Sequence, residues 1–536
     1  MQTILIINSY NSIRKIIFQI KLIRFYTTFV FVFLSLSVLS QADKYVNYIN
    51  SNTARKHIEY LASDDLEGRE AGEKGQKLAG AYLMQSFSSY GLPPIKGEYF
   101  QRFNLRVSTP QNISLMINGD TLRYFEDFLH NSDFMDSDFQ GAQSVFVGYG
   151  IESDEYNELE NIEIKNKVVF MLEGIPKFKK SKHTSFKKES ISDWIDRDKK
   201  ITRIVSKGAR AVVMINPKID VYKRIYSHSF NSSKMMLGTD KFKTKIPLLF
   251  ISESKADSLL REGGLLKGLK KIKNKIDKKG VPLSSQLSLK IGIQSNIIKT
   301  DISSENILGY VEGSDKKEEI IIVTAHYDHL GKYNGKIFNG ADDNASGTTA
   351  LLMMAQAFAK AKEEGNGPRR SILFMPVSAE EKGLLGSRYY SENPIFPLKN
   401  TVANLNIDMI GRVDEDHHDN KGNPNPNYVY IIGSHFLSSE LHQINEEQND
   451  IHTKLQLDYK FNSIDDPNRF YQRSDHYNFA KHSIPVIFYF NGVHEDYHKH
   501  TDTIEKIDFK KVSKITQLIF YTAWELANRE ERISLD

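Results

Sequence analysis

Acidic and histidine side chains recur at the ends of apolar runs in the C-terminal part of the chain. The run "EIIIVTAH" leads into Asp328, "RRSILFMPVSA" into two glutamates, and "NLNI" into Asp408. A glycine-rich loop, "NGADDNASG", holds two adjacent aspartates, and "HEDYHKHTDT" follows a further apolar run. Ligands of open α/β sheets bind beyond the carboxyl ends of the strands, so side chains clustered there are candidates for a site. The candidates are His326, Asp328, Asp342, Asp343, Glu380, Glu381, Asp408 and the histidines of 494–500.

This combination of residue types is typical of a divalent-metal site. Catalytic zinc is bound by histidine nitrogen and carboxylate oxygen and keeps a position open for water. A pair of metals needs a bridging carboxylate, and a further carboxylate that binds neither metal can accept the proton of the attacking water. The chain has no cysteine, which excludes thiolate ligands, a thiol nucleophile and a disulfide framework.

Each motif has an ordinary explanation when it stands alone. His326-x-Asp328 is compatible with a hydrogen-bonded pair at a strand end, Glu380-Glu381 with an acidic turn, and "GADDNASG" with a turn that caps a helix starting near Ser346. Their recurrence at successive element ends favours one shared metal site.

The secondary-structure patterns that must position these residues divide the chain into segments. Residues 53–92 show two helical patterns, and from about Ile297 apolar strands alternate with helices, which predicts an α/β sheet covered on both faces. Between about 133 and 290, short β-like runs alternate with lysine-rich stretches, which we interpret as solvated faces. We therefore predict a first part of the main domain at 42–130, an inserted β-rich domain at 131–296 and the metal-binding part at 297–536.

Residues 1–41 predict export. They contain basic residues up to Arg24, no acid, and the apolar run "FYTTFVFVFLSLSVLS" directly before Gln41. This run is shorter than the roughly 20 residues of a bilayer span, which favours a cleaved signal peptide over a signal anchor. We expect a periplasmic or extracellular protein with no stable membrane insertion after cleavage. The remainder has 67 basic and 67 acidic residues, so no net charge attracts nucleic acid.

Six motifs carry a resemblance to a known family. In chain order they are "HYDHLG", "NGADDNASGTTALL", "SAEEKGLLGS", "NLNIDMIGR", "RSDHYNFA" and "DYHKHTDT". They resemble the motifs of the co-catalytic zinc exopeptidases, which include bacterial leucyl aminopeptidases, glutamate carboxypeptidase II and glutaminyl cyclase. The resemblance covers Ile297 to the C-terminus and, more weakly, Thr53 to Leu105. It implies a three-layer α/β/α sandwich around a mixed, largely parallel sheet, and the inserted segment resembles a protease-associated domain.

The resemblance also implies a role for each site residue. It assigns two zinc ions to His326, Asp343, Asp408, Glu381 and His498, with Asp343 as the bridge between them. Glu380 matches the general base, Asp328 the carboxylate that orients the first histidine ligand, and Tyr497 a tyrosine that binds the tetrahedral intermediate. Asp342 keeps the role of a solvated or supporting acid, and Asp475 and His476 of "RSDH" are expected near the site without a role.

The implied activity is a zinc-dependent aminopeptidase that removes single residues from the N-termini of peptides or proteins. Hydrolysis would use a hydroxide held between the two metals, with Glu380 as the base. The alternatives are a carboxypeptidase or dipeptidase, a glutaminyl cyclase, which is an acyltransferase and keeps one zinc, and an inactive binding module. The complete ligand set favours a hydrolase.

Overall fold

The computed structural model describes residues 41–130, 136–177, 193–221, 223, 233–240 and 246–536. The chain forms two compact units. The first unit comprises the described residues up to Phe103 together with Ser303–Asp536, and the second comprises the described residues of Asn104–Ile302. The predicted signal peptide lies outside the described residues except for its last position, Gln41. Among the described residues, none of the helices has the length and apolar character that a membrane span requires.

The secondary-structure elements are numbered in chain order. The strands are β1 (Phe100–Ile117), β2 (Asp120–Leu122), β3 (Phe128–His130), β4 (Ser137–Phe146), β5 (Val168–Leu172), β6 (Ala211–Asn216), β7 (Lys234–Leu237), β8 (Leu248–Ser252), β9 (Ser285–Ile307), β10 (Gly309–Val311), β11 (Lys316–His326), β12 (Gly331–Tyr333), β13 (Lys336–Phe338), β14 (Arg370–Val377), β15 (Thr401–Ile407), β16 (Tyr428–Ile432), β17 (Gln456–Asp458) and β18 (Val486–Phe490). The helices are α1 (Ser51–Leu61), α2 (Lys74–Ser89), α3 (Arg197–Ser206), α4 (Glu253–Glu262), α5 (Leu269–Lys279), α6 (Gly347–Glu363), α7 (Leu385–Glu392), α8 (Ser439–Gln448), α9 (His476–Ala480) and α10 (Phe509–Asn528).

The sheet of the first unit has the order β10-β14-β11-β15-β18-β16-β17. The central strands β14, β11, β15 and β18 run parallel. On one side β10 is antiparallel to β14, and on the other β16 is antiparallel to β18 and parallel to the edge strand β17. His326, the last residue of β11, lies opposite Val377, the last residue of β14. The carboxyl ends of the central strands therefore meet at one edge of the sheet, and the predicted mixed, largely parallel sheet is confirmed.

Helices cover both faces of this sheet, because the central strands are apolar on both sides. On one face, Ile321 and Val323 of β11 belong to a core that also contains the apolar faces of α1, α2, α6 and α10. On the other face, Ile322 packs in a smaller core with Tyr390 of α7 and Phe479 of α9. Two layers of helix thus enclose the sheet, as the three-layer prediction requires.

The second unit is built on its own sheet. Its order is β2-β1-β9-β4-β5-β6-β8-β3, and β7 pairs with β1. The inner strands β4, β5, β6 and β8 are parallel, and apolar cores lie on both faces, with Val168 and Phe170 of β5 on one side and Val169 on the other. The structure agrees with the β-like runs of the sequence, and the likeness to a protease-associated domain stays a prediction.

The second unit begins earlier in the chain than the insert expected at 131–296. It starts at Asn104, because β1 continues past this residue to pair with β2 and β7, and β3 pairs with β8. Residues 104–130 therefore belong to the second unit and not to the first part of the main domain. At the other end the boundary lies at Ile302, inside the long strand β9.

One carboxyl group is buried in the second unit. Glu158 is 1% exposed and accepts hydrogen bonds from the backbone N–H groups of Tyr149 at 2.8 Å and Ile151 at 3.2 Å, and from the Tyr156 hydroxyl at 2.9 Å. Burial raises the pKa of Glu158 to about 7, in spite of these hydrogen bonds.

Candidate metal centre

The predicted ligands lie together at the carboxyl edge of the first unit's sheet. His326 ends β11, Asp408 follows β15, and Glu381 lies in the turn after β14. Asp343 lies in the loop before α6, and His498 in the loop that follows β18. All five come to one place because parallel strands present their carboxyl ends at the same edge.

Asp343 stands between two histidines. Its Oδ1 atom lies 3.2 Å from Nε2 of His326, and its Oδ2 atom lies 3.2 Å from Nε2 of His498. The same His326 nitrogen is 3.2 Å from Oδ1 of Asp408, and the same His498 nitrogen is 3.1 Å from Oε2 of Glu381. One carboxylate is therefore shared by two sets of ligands, each of one histidine and two acids.

Glu380 lies in the same cavity but outside these two sets. Its Oε2 atom is 4.0 Å from Nε2 of His326, and its backbone N–H donates to Oδ1 of Asp328 at 3.1 Å. Burial raises the pKa of Glu380 well above its usual range, and the nearby carboxylates of Asp408 and Glu381 add to the effect. A carboxyl group with these neighbours is suited to hold a proton.

Buried negative charge dominates the electrostatics of the site. Burial opposes the ionisation of Asp343, but the imidazoles of His329, His326 and His498 hold its pKa well below the usual range. Burial likewise opposes the charged form of His498, yet the carboxylates of Glu381 and Asp343 raise its pKa to about 11. The histidines thus supply the positive charge that these buried carboxylates need, which is a role that a bound cation can take over.

Asp328 contacts His326 through a different group from the one expected. The backbone carbonyl oxygen of Asp328 lies 3.0 Å from Nδ1 of His326, whereas its Oδ1 atom is 3.9 Å away. The carboxylate instead accepts the backbone N–H of Glu380, and burial raises the pKa of Asp328 to about 7. The carbonyl group is therefore the closer partner of the imidazole, and the carboxylate holds the turn that carries Glu380.

Asp342 is fully buried, so the alternative of a solvated acid is wrong. Its Oδ1 atom accepts the backbone N–H of Gly411 at 2.6 Å, and its Oδ2 atom lies 3.1 Å from Nε2 of His494. Its own N–H donates to Asp502. Asp342 therefore connects the loop of Asp343 with the chain that follows β15 and with the loop after β18.

Tyr497 lies beside the ligands, where the sequence predicted it. Its ring stacks on the ring of His498 with a centroid distance of 3.8 Å, and its hydroxyl accepts a hydrogen bond from Arg473 at 3.2 Å. It lines a cavity together with His326, Asp343, Glu380, Asp408 and His498. Met409, Phe470, Phe488, Phe490 and Val493 form the apolar wall of this cavity.

Asp475 and His476 are both buried at the base of the site. Asp475 lies close enough to His326 and Glu380 for its charge to act on both, and burial raises its pKa to about 7. The ring of His476 stacks on the ring of Phe488 at a centroid distance of 4.7 Å. His476 therefore packs against the apolar wall of the cavity and does not contact a predicted ligand through this ring.

The sequence interpretation missed several residues that support the ligands. His329 is buried, and its Nδ1 atom lies 2.7 Å from Oε1 of Glu381. Ligand atoms of His329, Asp343 and Glu381 also lie close enough together to share a metal, as do those of His326, Glu380 and Asp408. The sequence signal for His329 was its position in "HYDHLG", directly after His326 and Asp328. Ser474 donates to Oδ2 of Asp408 at 2.8 Å, which only the folded structure reveals.

Parts of the chain are similar in sequence to known aminopeptidases. Aminopeptidase YwaD of Bacillus subtilis (strain 168) is 36% identical over 114 residues, which cover 21% of this chain and 23% of that protein. A probable leucine aminopeptidase of Trichophyton verrucosum is 30% identical over 243 residues, 44% of this chain and 61% of that protein. The matches thus span less than two thirds of either relative.

A solved structure shows the same fold over almost the whole chain. The aminopeptidase from Aneurinibacillus sp. strain AM-1 superposes with a TM-score of 0.59 at 18% identity and covers 92% of this chain and 97% of that one. Residues 306–523 match the profile of peptidase family M28. This segment contains every predicted site residue.

Proposed function

We propose that the protein is an exported two-zinc exopeptidase, and specifically an aminopeptidase. The observation that carries the proposal is the position of Asp343, whose two oxygens lie 3.2 Å from His326 and 3.2 Å from His498. A carboxylate shared in this way is what a pair of metals requires. The match to a peptidase family and the names of the relatives support the same activity.

The donor set fits zinc. The five predicted ligands offer two imidazole nitrogens and three carboxylates, which are the ligands that catalytic zinc takes in the absence of thiolates. Both oxygens of the buried Asp343 face histidine nitrogens, and three acids lie around two histidines. Zinc held by His326, Asp343, Asp408, Glu381 and His498 would lower the pKa of the attacking water and polarise the scissile carbonyl group.

Glu380 is proposed as the general base. It is held over the cavity by the hydrogen bond from its N–H to Asp328, and it is not needed in either ligand set. Its carboxylate would take the proton of the attacking water and return it to the leaving amine. Tyr497 would donate its hydroxyl hydrogen to the oxygen that becomes negative in the tetrahedral intermediate.

The form of the cavity supports removal of single residues from an N-terminus. The apolar wall of the cavity, formed by Met409, Phe470, Phe488, Phe490 and Val493, suits an apolar side chain. Glu380, which lies outside both ligand sets, lines the same space, and its carboxylate is able to bind a protonated amino group. We therefore expect preference for peptides with a free amino terminus and an apolar or aromatic first residue.

A carboxypeptidase or dipeptidase is the second candidate, and one observation favours it. Arg473 also lines the cavity, and it forms no ion pair with an acid of the described residues. A guanidinium group in this position is able to bind the terminal carboxylate of a short peptide. Peptides blocked at the amino end or at the carboxyl end separate the two activities.

The test is a hydrolysis assay of the mature protein on unblocked amino-acid amides, before and after removal of metal by a chelator. Glu380→Gln should reduce kcat by about 10²–10⁴, which is the usual contribution of general acid–base catalysis, and should retain the zinc content of the wild type. Glu363→Gln is a matched control, because Glu363 lies exposed at the end of α6 and pairs with Lys360. Turnover similar to wild type in Glu380→Gln would refute the assignment.

Three further results would change the proposal. Activity that survives complete metal removal would contradict a metallopeptidase. Cyclisation of N-terminal glutamine without hydrolysis of amides would identify a glutaminyl cyclase instead. A protein that binds two zinc ions and a peptide but turns over no substrate would be the inactive binding module.

A further inference from the structure

We infer that Arg473 is a positioning residue that directs the hydroxyl hydrogen of Tyr497 into the cavity. The inference rests on the proposed function, because it concerns the oxygen that becomes negative during hydrolysis. It assigns a role to a side chain that forms no part of either ligand set.

The direction of one hydrogen bond is the central observation. A guanidinium group can only donate, so the 3.2 Å contact from Nη2 of Arg473 occupies a lone pair of the Tyr497 oxygen. A hydroxyl group has one hydrogen, and here it cannot point back at Arg473. Among the described residues, no other hydrogen-bond partner of this hydroxyl lies within range. The hydrogen is therefore available to a substrate oxygen in the cavity that Tyr497 lines.

Arg473 is exposed, and its contacts within the segment orient the guanidinium group. The group lies over the ring of Phe470, 4.8 Å from the ring centroid, which is a favourable cation–π distance. The backbone N–H of Arg473 donates to the carbonyl of Phe470 at 3.0 Å. The next residue, Ser474, donates to Oδ2 of Asp408 at 2.8 Å, so Arg473 is anchored within one residue of a predicted metal ligand.

The positive charge adds to the effect of geometry. Tyr497 is partly buried beside the carboxylates of Asp343 and Glu381, which oppose the development of negative charge near it. Arg473 is the cation that contacts this hydroxyl, and none of its contacts with described residues is to an acid. A donor polarised by a neighbouring cation forms a stronger hydrogen bond to an oxyanion.

A double-mutant cycle on the metal-loaded, full-length mature protein tests the inference. Tyr497→Phe removes an oxyanion donor and should reduce kcat by about 10²–10³. Arg473→Met should reduce kcat by about 10–100-fold with little change in KM, since its effect arises in the transition state. If Arg473 acts through Tyr497, the double variant should be no slower than Tyr497→Phe to within about twofold.

Two control variants separate positioning from structural damage. Arg473→Lys keeps one donor and the charge, so it should recover part of the lost kcat. Arg469→Met is the matched control: Arg469 lies in the same segment but donates to Gln472, and its replacement should leave kcat unchanged.

The cycle can also be measured without turnover. An alkyl boronic acid forms a tetrahedral anion at a metal centre, and its affinity by isothermal titration should fall in both single variants and no further in the double variant. If the wild type hydrolyses no amide, the proposed function fails, while boronate binding still tests the contact between Arg473 and Tyr497. Losses that multiply in the double variant, in either measurement, would overturn the inference, as would an Arg473→Met variant with wild-type kcat.

Discussion

Asparagine substitutions of the two adjacent aspartates should have different effects: one should lower the zinc content and the other the stability. Asp343→Asn replaces a carboxylate whose two oxygens face His326 and His498 at 3.2 Å each. An amide has a single oxygen, so the asparagine can provide a ligand atom to one of the two sets and presents its NH₂ group to the other. We expect zinc content to fall from two ions to one or none per chain.

Asp342→Asn should leave the zinc content unchanged and reduce stability instead. Asp342 accepts the N–H of Gly411 at 2.6 Å and faces His494 at 3.1 Å, both in a buried environment. Asparagine keeps an acceptor for one of these partners and loses the other. A hydrogen bond to a charged group contributes about 1.5–3 kcal/mol, so we expect a loss of about 2 kcal/mol and a decrease in Tm of about 2–3 °C.

The assay combines metal analysis by mass spectrometry with differential scanning calorimetry on both variants, purified with excess zinc and then desalted. The wild type provides the reference for stoichiometry and Tm. Full zinc content in Asp343→Asn, or loss of zinc in Asp342→Asn, would refute the assignment of Asp343 as the bridging ligand.

Three further changes test other parts of the molecule. The Glu158 carboxyl group stays protonated in the folded protein up to about pH 7 but only to about pH 4.5 in the unfolded chain. Its contribution therefore favours folding below pH 4.5 and is lost as the pH rises to 7. Glu158→Gln should remove this loss of about 3 kcal/mol, so the Tm of the variant should depend less on pH. The guanidinium group of Arg69 donates to the backbone carbonyls of Asn339 at 2.7 Å and Gly340 at 3.0 Å. Arg69→Lys leaves one ammonium group in place of these donors and should lower the free energy of unfolding, measured in urea, by about 3 kcal/mol. Gly340→Ala places a Cβ 2.1 Å from the Asp343 carbonyl at φ +57° and should lower zinc content, whereas Gly335→Ala, with φ +73° and open space, should leave zinc content unchanged.

The sequence predicted the first unit well because its signals are local. Fully apolar runs gave the parallel strands, and the residues just beyond them had to meet at one edge. His326, Asp408 and Glu381 could therefore be located from strand ends alone. The choice of Asp343 over Asp342 depended on the family resemblance, and the distances to His326 and His498 agree with it.

The remaining features depend on contacts between distant parts of the chain. Nothing in "GADD" indicates that Asp342 is buried, because Gly411 and His494, its partners, lie 69 and 152 positions away. His329 lies near the predicted ligands because its Nδ1 atom contacts the Glu381 side chain, and Glu381 follows a different strand. The limit of the second unit at Asn104 falls within β1, where the sequence shows one continuous strand pattern and no boundary signal.

The short segment from Phe470 to Ser474 brings three functions into five consecutive residues. Phe470 belongs to the apolar wall, Arg473 contacts Tyr497, and Ser474 holds Asp408. A substitution that reshapes the wall at Phe470 also removes the ring on which Arg473 rests. Under the proposed function, substitutions in this segment that change the preferred first residue of the substrate should also slow the reaction. Substitutions of Met409 or Val493, which line the cavity from other loops, should change the preference without this cost.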